Sequence, residues 1–412
     1  MTASPLDGRA MNFVRAQFPA LESPWAFFDN AGGSLVLERV AERVRDYLLS
    51  TSVQLGASYD ASVRAAERVT AGTGAAATLL GCRPQEVVLG SSTTQLLRNL
   101  SLAMAPGIRE GDEVIVTDSD HEANVGAWLN LRERGAVLRF WRLNRDTLRL
   151  ELDDLRALLG DRTRLVCLTH ASNVLGGINP VAEAARLARE AGARTVVDGV
   201  AYAPHRAPDV RALGVDYYVC SLYKVYGPHV SVLYGRHEEL LGLANLNHYF
   251  IPPDAVPYKL QPGNLNFELT YSLGGITDYL EELSRQADGP ASGREAVQAA
   301  FDLIAAHEEA LAERLLAYLR SRDDVTIIGP REAGRELRVP TVSFTVRGRD
   351  ASEVPPLLDA RQVAVRYGDF YARRLVETLG LLERGGVVRA SMVHYNTLDE
   401  VDRLVAALDE VL

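Results

Sequence analysis

The sequence predicts an α/β protein whose large domain holds a mainly parallel sheet with helices on both faces. Short strand-like runs alternate with amphipathic helical runs through roughly the first 290 residues. Several of these runs are continuously apolar, which is typical of strands buried on both faces. After residue 290, a long helical pattern is followed by strand-like runs, which indicates a smaller α+β domain.

Seven segments are predicted as strands of the large sheet because they are short, apolar and rich in β-branched or aromatic residues. They are Glu86–Leu89, Glu113–Thr117, Leu138–Trp141, Arg164–Thr169, Thr195–Val197, Tyr217–Cys220 and Val230–Tyr234. Amphipathic helices are predicted between them, for example over Leu152–Leu159 and Pro180–Ala191. We therefore expect a seven-stranded sheet.

The last third of the chain predicts a different order of elements. A helix is expected over Glu295–Ser321, strands over Val325–Ile328, Thr341–Val346 and Val387–Met392, and a closing helix over Asp399–Leu412. We divide the chain accordingly into three parts. Residues 1–25 form an N-terminal segment that packs with the small domain, residues 26–290 the large domain, and residues 291–412 the small domain.

Composition excludes several classes of protein. The 412 residues are 47% hydrophobic and 24% charged, as in ordinary globular proteins, and a formal charge of -10 argues against a nucleic-acid partner. No stretch approaches the roughly 18 apolar residues of a membrane span, and the N-terminus does not resemble a secretory signal. Cys82, Cys167 and Cys220 are odd in number and lack metal-ligand spacing, which favours a cytoplasmic protein without a metal site.

Reactive or hydrogen-bonding residues follow five of the predicted strands. They are Ser91 to Thr94, then Asp118, Asp120, His121 and Asn124, then His170, Ser172 and Asn173, then Asp198, and finally Ser221, Tyr223 and Lys224. In an open parallel sheet, ligands bind in the crevice beyond the carboxyl ends of the strands. The pattern therefore predicts that these side chains converge on one binding crevice.

The run Ser92-Thr93-Thr94 opens a predicted helix and has two interpretations. Serine and threonine are favoured as plain helix caps, but the free N–H groups and positive dipole end of a helix also suit a phosphate. The rest of the crevice favours the phosphate. Asp198 is costly to bury unless it meets a cation, and the protonated nitrogen of a pyridoxal-phosphate ring would provide one. Lys224, just past a buried strand, is a candidate to carry such a cofactor as a Schiff base.

Seven segments together resemble the motifs of a known family. They are Phe28-Asp-Asn-Ala-Gly-Gly, Ser92-Thr-Thr-Gln, Asp120-His-Glu-Ala-Asn, Thr169-His-Ala-Ser-Asn-Val-Leu-Gly, Val197-Asp-Gly, Ser221-Leu-Tyr-Lys and Val388-Arg-Ala-Ser. In this order, and over nearly the whole chain, they resemble the pyridoxal-phosphate-dependent class V aminotransferase family, in its cysteine-desulfurase-like branch. The resemblance implies the fold type I of pyridoxal-phosphate-dependent transferases and a homodimer.

The resemblance also implies roles for individual residues. Lys224 carries the cofactor and acts as a base at Cα, Asp198 pairs with the pyridine nitrogen, and His121 stacks on the ring. The other residues expected at the cofactor are Ser92, Thr93, Thr94, Asn173, Ser221, Tyr223 and Asn264. The residues expected at an amino-acid substrate are Asn30, Ala31, Asn173, Arg366 and Arg389, of which Arg389 holds the carboxylate through its planar guanidinium.

Departures from the family pattern bear on the reaction. Tyr371 stands where desulfurases carry a loop cysteine, and Ala201 stands where the family has a glutamine. These changes favour β-elimination from a sulfur-containing amino acid (a C–S lyase) or transamination over persulfide formation. An epimerase of the same family and a non-catalytic binding or scaffold protein stay open as alternatives. Arg366 either binds substrate or pairs with an acidic neighbour such as Asp369, and Glu122 has no assigned role.

Overall fold

The computed structural model describes residues 6–412, and its helices cover much of this range. The helices are α1 (Gly8–Ala16), α2 (Glu38–Ser50), α3 (Asp60–Leu80), α4 (Thr93–Met104), α5 (Ala123–Leu129), α6 (Leu152–Leu158), α7 (Val181–Glu190), α8 (His237–Gly242), α9 (Phe267–Ser272), α10 (Gly274–Gln286), α11 (Gly293–Arg320), α12 (Val354–Asp359), α13 (Arg373–Thr378) and α14 (Leu398–Val411). Along residues 6–412, none of the helices combines the length and hydropathy needed to cross a lipid bilayer.

The strands fall into three sheets. They are β1 (Ala26–Phe27), β2 (Val87–Gly90), β3 (Glu113–Thr117), β4 (Val137–Trp141), β5 (Thr163–Thr169), β6 (Arg194–Asp198), β7 (Tyr217–Ser221), β8 (Ser231–Gly235), β9 (Val325–Ile328), β10 (Thr341–Val346), β11 (Val363–Ala364), β12 (Arg366–Gly368) and β13 (Val387–Ser391). Each of the seven strands predicted for the large domain is present, with ends that differ by at most one residue.

The largest sheet has seven strands in the order β2-β8-β7-β6-β5-β3-β4. Strand β8 runs antiparallel to both of its neighbours, and the other adjacent pairs are parallel. This confirms the predicted mainly parallel sheet. Because parallel strands share one direction, the carboxyl ends of β3, β5, β6 and β7 lie along the same edge.

Both faces of the seven-stranded sheet are covered by apolar layers. In β5, Val166 and Leu168 belong to the hydrophobic cluster on one face, while Leu165 and Cys167 belong to the cluster on the other. Successive side chains of a strand point to opposite faces, so every position of β5 meets a packed layer. This is why the segment is continuously apolar in the sequence.

The second large sheet has four antiparallel strands in the order β12-β13-β10-β9. Its core includes Val342 of β10, Leu315 of α11 and Leu404 of α14. Strand β1 forms a parallel two-stranded ladder with β11, which places Ala26 and Phe28 in this same core. The sequence analysis placed residue 26 at the start of the large domain, but here residues 26–28 pack with the small one. Pairing between strands far apart in sequence leaves no local signal.

Helix α11 packs in both cores, and the N-terminal segment packs in the large core while also contacting the small domain. Val297 of α11 packs in the core of the large sheet, and Leu315 packs in that of the small sheet. Arg15 donates to the Tyr395 carbonyl at 2.8 Å and pairs with Glu400, both in the small domain, whereas Phe18 belongs to the large core. The N-terminal segment was expected to pack with the small domain. Its residues 6–25 form polar contacts with that domain but place their apolar side chains in the large core, and residues 1–5 lie outside the described range.

A close approach joins the loop after β5 to the small domain. Gly176 has φ +72°, and a Cβ at this position would lie 2.2 Å from the Thr341 carbonyl oxygen, so no other residue fits without displacement. Nearby, the Ser343 hydroxyl donates to the Val174 carbonyl at 2.6 Å. These contacts hold the crevice loop directly against strand β10.

We predict that Phe18→Ala lowers the free energy of unfolding by about 3–5 kcal/mol, because it removes a buried ring from a packed core. The Phe18 ring is 1% exposed, and its centroid lies 4.8 Å from that of Tyr395 and 5.8 Å from that of Tyr279. Denaturant unfolding measures the change. As a control, Leu49→Ala on α2, where the side chain is 73% exposed, should change it by less than about 0.5 kcal/mol. Equal effects would contradict this packing.

Candidate active site

A cavity opens at the carboxyl ends of the parallel strands, with about 520 Å³ of empty space including its mouth. Its walls contain nine of the residues predicted for the cofactor: Ser92, Thr93, Thr94, His121, Asn173, Asp198, Ser221, Tyr223 and Lys224. Ala201 also lines it. The structure therefore brings together in one crevice side chains that follow five different strands.

One end of the cavity is formed by the N-terminus of α4. The Ser92 hydroxyl caps this helix by accepting a hydrogen bond from the Gln95 N–H at 3.1 Å. The Thr93 hydroxyl contacts that of Ser221 at 2.8 Å, and Ser221 contacts Ser231 at 3.0 Å, which ties the helix start to β7 and β8. Hydroxyl groups beside the positive end of a twelve-residue helix suit a phosphate.

Asp198 is the last residue of β6 and is 4% exposed. It accepts a hydrogen bond from the Val200 N–H at 2.9 Å. Burial raises the pKa of the carboxyl group to about 6, against the opposing effects of the Val200 N–H and the Lys224 charge. A buried carboxylate of this kind is stabilised by a cationic donor, and the protonated ring nitrogen of pyridoxal phosphate is one.

Gly199 lets the chain turn directly after this aspartate. A Cβ there would lie 2.1 Å from the Tyr218 phenol ring, so any side chain would displace the loop or the ring. The Tyr218 hydroxyl contacts His170 Nδ1 at 3.0 Å, and the His170 ring stacks on that of Tyr202 at 3.5 Å. His170 therefore packs against Tyr202 and Tyr218, and it is not among the residues that line the described cavity.

Lys224 lies on the turn after β7 and is 8% exposed. Burial and, to a smaller extent, the Arg389 charge lower the pKa of its amine to about 8, against the opposing effect of Asp198. The amine is therefore neutral far more often near physiological pH than that of an exposed lysine, and the neutral form is the one that acts as a nucleophile or a base. The chain has one other lysine, Lys259, whose ammonium group donates to the Leu241 and Leu243 carbonyls.

His121 lines the cavity as a neutral ring. Its pKa falls to about 4, chiefly through burial and also through the charges of Lys224 and Arg389. Its Nδ1 accepts a hydrogen bond from the Ala123 N–H at 3.1 Å, which fixes the ring. A neutral, oriented imidazole is suited to stacking on a cofactor ring.

The carboxylate next to His121 was given no role by the sequence analysis. Asp120 is 1% exposed and accepts hydrogen bonds from the Thr117 hydroxyl, the Thr169 N–H and the Asn124 amide. Burial raises its pKa to about 7. Asp120 thus joins the ends of β3 and β5 and positions the His121 loop.

Arg389 on β13 lies at the side of the site formed by the small domain. It is 2% exposed, donates to the Asn173 carbonyl at 3.1 Å and pairs with Asp29 at 3.0 Å. The Phe370 ring lies over its guanidinium at 3.6 Å, and its Nε is buried without a hydrogen-bond partner. Burial lowers its pKa to about 10, although Asp29 opposes this.

Asp29 also pairs with Arg366 at 3.5 Å, so it bridges the two arginines predicted for the substrate. The alternative partner suggested for Arg366, Asp369, pairs instead with Arg373 at 3.6 Å. Sequence reasoning missed Asp29, although it lies inside the Phe28-Asp-Asn motif. The position of a carboxylate between two arginines depends on pairing of β1 with the small domain.

Five predicted site residues are not among those that line the cavity: Arg366 and Arg389, described above, and Asn30, Ala31 and Asn264. The Asn30 amide donates to the Ser391 carbonyl and to Asn396, and the Ala31 N–H donates to the Ser391 hydroxyl at 2.8 Å. These two residues hold the N-terminal strand against β13, so their polar groups are already paired. Asn264 lines a separate groove with Ser91, Gln95 and His229.

A buried lysine, a buried strand-end aspartate and a helix N-terminus on one sheet edge define a pyridoxal-phosphate-dependent enzyme. Residues 26–404 match the family model of aminotransferase class-V, and the chain belongs to that family. It is 42% identical to an aminotransferase-like protein of Gibberella zeae, over 97% of this chain and 98% of that one. It is 33% identical to a cysteine desulfurase-like protein of Aspergillus flavus, over 97% of this chain and 90% of that one.

The fold is similar to that of an apo cysteine desulfurase from Thermococcus onnurineus, with a TM-score of 0.86, 25% identity and 99% of both chains covered. These similarities confirm the predicted family, fold class and cofactor. The residues present also fit that cofactor. Hydroxyl groups and a helix N-terminus are available for its phosphate, Asp198 for its ring nitrogen, and the Lys224 amine for its aldehyde carbon.

We predict that the rate at which protein freed of cofactor takes up pyridoxal phosphate rises with pH and reaches half its maximum near pH 8. Only the neutral Lys224 amine can attack the aldehyde, and its lowered pKa of about 8 sets the fraction that is neutral. Stopped-flow absorbance across a pH series measures this rate. A midpoint near 10.5, the ordinary lysine value, would show that the amine is not buried as described.

Proposed function

We propose that this protein is a C–S lyase that eliminates the β-substituent of a sulfur-containing amino acid. The observation that carries this proposal is the buried Lys224 amine, whose pKa of about 8 allows it to act as a base beside Asp198. Transamination is the second candidate, and it is supported by the similarity to an aminotransferase-like protein. The family assignment favours neither an epimerase nor a non-catalytic binding protein.

Each of the nine predicted residues that line the cavity has a role in this proposal. Pyridoxal phosphate, when bound, supplies an electron sink that stabilises negative charge at Cα. Lys224 would hold the cofactor through its amine, and the same amine would accept the Cα proton of the substrate. Asp198 would pair with the ring nitrogen, and His121 would contact the ring.

The remaining predicted residues divide between phosphate and substrate. We assign Ser92, Thr93, Thr94, Ser221 and Tyr223 to the phosphate end of the cavity. Arg389 would bind the substrate carboxylate through its guanidinium, with Asn173 beside it.

The fate of the sulfur follows from the absence of a thiol at the turn over the site. Tyr371 occupies this turn, and Cys167 and Cys220 are buried within the sheet. No cysteine is among the residues that line the described cavity. Sulfur therefore leaves as free sulfide, so that L-cysteine and water give pyruvate, ammonia and hydrogen sulfide.

Spectroscopy combined with product assays tests the reaction. We expect protein loaded with pyridoxal phosphate to show a visible absorbance band that shifts on addition of substrate. L-cysteine should release pyruvate and sulfide, and L-cystine should release pyruvate and thiocysteine. Transamination would instead convert the cofactor to its amine form, without sulfide. Absence of any band after the cofactor is supplied would refute the enzyme assignment.

We predict that Lys224→Ala abolishes both turnover and covalent retention of the cofactor. Borohydride reduction followed by peptide mass spectrometry should place the cofactor on Lys224 in the unsubstituted protein. The second lysine provides a matched control. Lys259 is also buried, but its ammonium group donates to two main-chain carbonyl oxygens. The variant Lys259→Met should still retain the cofactor on Lys224 after reduction, and labelling of Lys259 would contradict the assignment.

We further propose that the protein is a cytoplasmic homodimer. Its three free thiols suit a reducing compartment. The aromatic rings of Tyr249 and Phe250 are 97% and 64% exposed, which is typical of a surface that another chain covers. This proposal also gives a place to Asn264, which lies outside the cavity of its own chain and would reach the phosphate of its partner.

We predict that the unsubstituted protein sediments with twice the mass of one chain, and that a Tyr249→Ser, Phe250→Ser double variant shifts it toward the monomer. The exposed rings would lose most of the apolar area that they bury in the interface. Sedimentation equilibrium measures both species. Leu49→Ala, another exposed apolar position, is the control and should leave the mass unchanged. A monomeric unsubstituted protein would contradict the proposal.

A further inference from the structure

A turn of unusual backbone conformation lies over the mouth of the cavity. Phe370 and Tyr371 have φ +50° and +60°, and two consecutive residues with side chains rarely adopt this left-handed conformation. The Phe370 carbonyl accepts a hydrogen bond from the Asn173 amide at 2.9 Å, and the Tyr371 carbonyl accepts one from the Glu122 N–H at 2.7 Å. Groups from the ends of two different strands thus hold the turn in place.

An ion pair adds a third attachment. Arg374, the second residue of α13, donates to Glu122 through Nε at 2.9 Å and through Nη2 at 3.1 Å. Two parallel hydrogen bonds of this kind fix direction as well as distance. Glu122 therefore holds the turn twice, through its backbone and through its side chain, and it directly follows His121 in the chain.

The side chains of the turn cover two groups assigned to the reaction. Phe370 is 8% exposed and lies over the Arg389 guanidinium. The Tyr371 ring lies 5.4 Å from the His121 ring and is inclined to it by 37°. Tyr371 is otherwise 74% exposed, so one face of an aromatic ring is open beside the cavity mouth.

We propose that Tyr371 is a specificity-determining residue that faces the substrate side chain, and that Glu122 and Arg374 are its positioning residues. This inference rests on the proposed function. A substrate whose carboxylate is at Arg389 and whose amine is directed to Lys224 must point its third Cα substituent elsewhere. The turn at Phe370 and Tyr371, which lies between Arg389 and His121, limits the space for the substrate side chain. It therefore selects amino acids with short, unbranched side chains.

Substitution of Tyr371 separates the role of its ring from that of its hydroxyl. In cofactor-loaded protein, Tyr371→Ala should shift the ratio of kcat/KM values toward sulfur amino acids with long side chains, such as S-butyl-L-cysteine over S-methyl-L-cysteine, by about tenfold or more. Tyr371→Phe keeps the ring and should leave this ratio within about twofold of the unsubstituted protein. An unchanged ratio in the alanine variant, or an equal loss of turnover in both variants, would overturn the proposal.

Hydrogen–deuterium exchange tests the positioning pair without any need for turnover. Glu122→Gln and Arg374→Gln should each speed the exchange of amides in residues 366–378 and relax the side-chain preference. Arg373→Gln is the matched control, because this neighbouring arginine pairs only with Asp369 and Glu377 of its own segment. If Arg374→Gln exchanged no faster than Arg373→Gln, the pair would have no positioning role.

A charge-swapped double variant, Glu122→Arg with Arg374→Glu, should restore slow exchange and the original preference. This outcome would distinguish loss of the pair from general loss of folding. The experiments can refute the proposed reaction and the proposed role of the turn independently of each other. If the protein takes up no cofactor, the proposed reaction is wrong, and the exchange rates still report whether Glu122 and Arg374 hold the turn.

Discussion

The burial of the Lys224 amine beside the Asp198 carboxylate is the constraint on which the rest of the site depends. The two residues lie at the ends of adjacent parallel strands, where Asp198 is in register with Val219 of β7. Burial lowers the pKa of the Lys224 amine and raises that of the Asp198 carboxyl group, so it favours the neutral form of each. The attraction between their charged forms opposes both shifts. The register of β6 and β7 thus sets the chemistry, because a shift by one residue would reverse which side chains face the cavity.

The small domain completes the site, so its placement matters as much as the sheet. It contributes Arg389 and the turn at Phe370 and Tyr371. The backbone at Gly176 lies so close to the Thr341 carbonyl that the loop after β5 and strand β10 have almost no room to shift relative to each other. Asp29 pairs with both arginines on the small-domain side, so under the proposed function a substrate carboxylate at Arg389 would have to share or replace these pairings. Substrate binding would then exchange one ion pair for another, and its strength would depend on how well Asp29 is solvated afterwards.

Most of the large sheet and of its reactive edge could be predicted from the sequence, because those signals are local. A continuously apolar run followed by a polar residue, as at Val197-Asp198, marks both a buried strand and its end. The pairings across the fold had no such signal. The bridge made by Asp29, the attachment of Glu122 to Arg374 and the separation of Asn264 from the cavity each depend on segments far apart in sequence. The motif resemblance correctly gave the family, whereas the substrate contact that it implies for Asn30 stays a prediction, since the Asn30 amide donates to Ser391 and Asn396.

The scarcity of lysine limits the number of side-chain amines that can form an imine with an aldehyde. Lys224 and Lys259 are the whole complement, and the remaining 42 of the 44 basic residues are arginines, which do not form imines at neutral pH. Lys259 is shielded, since its nitrogen contacts two main-chain oxygens and the residue has no measurable exposure. An aldehyde that drifts over this surface thus meets almost no competing amine among the side chains. Amine-directed reagents would therefore report on Lys224 and on the α-amino group of the chain, with little background from other side chains.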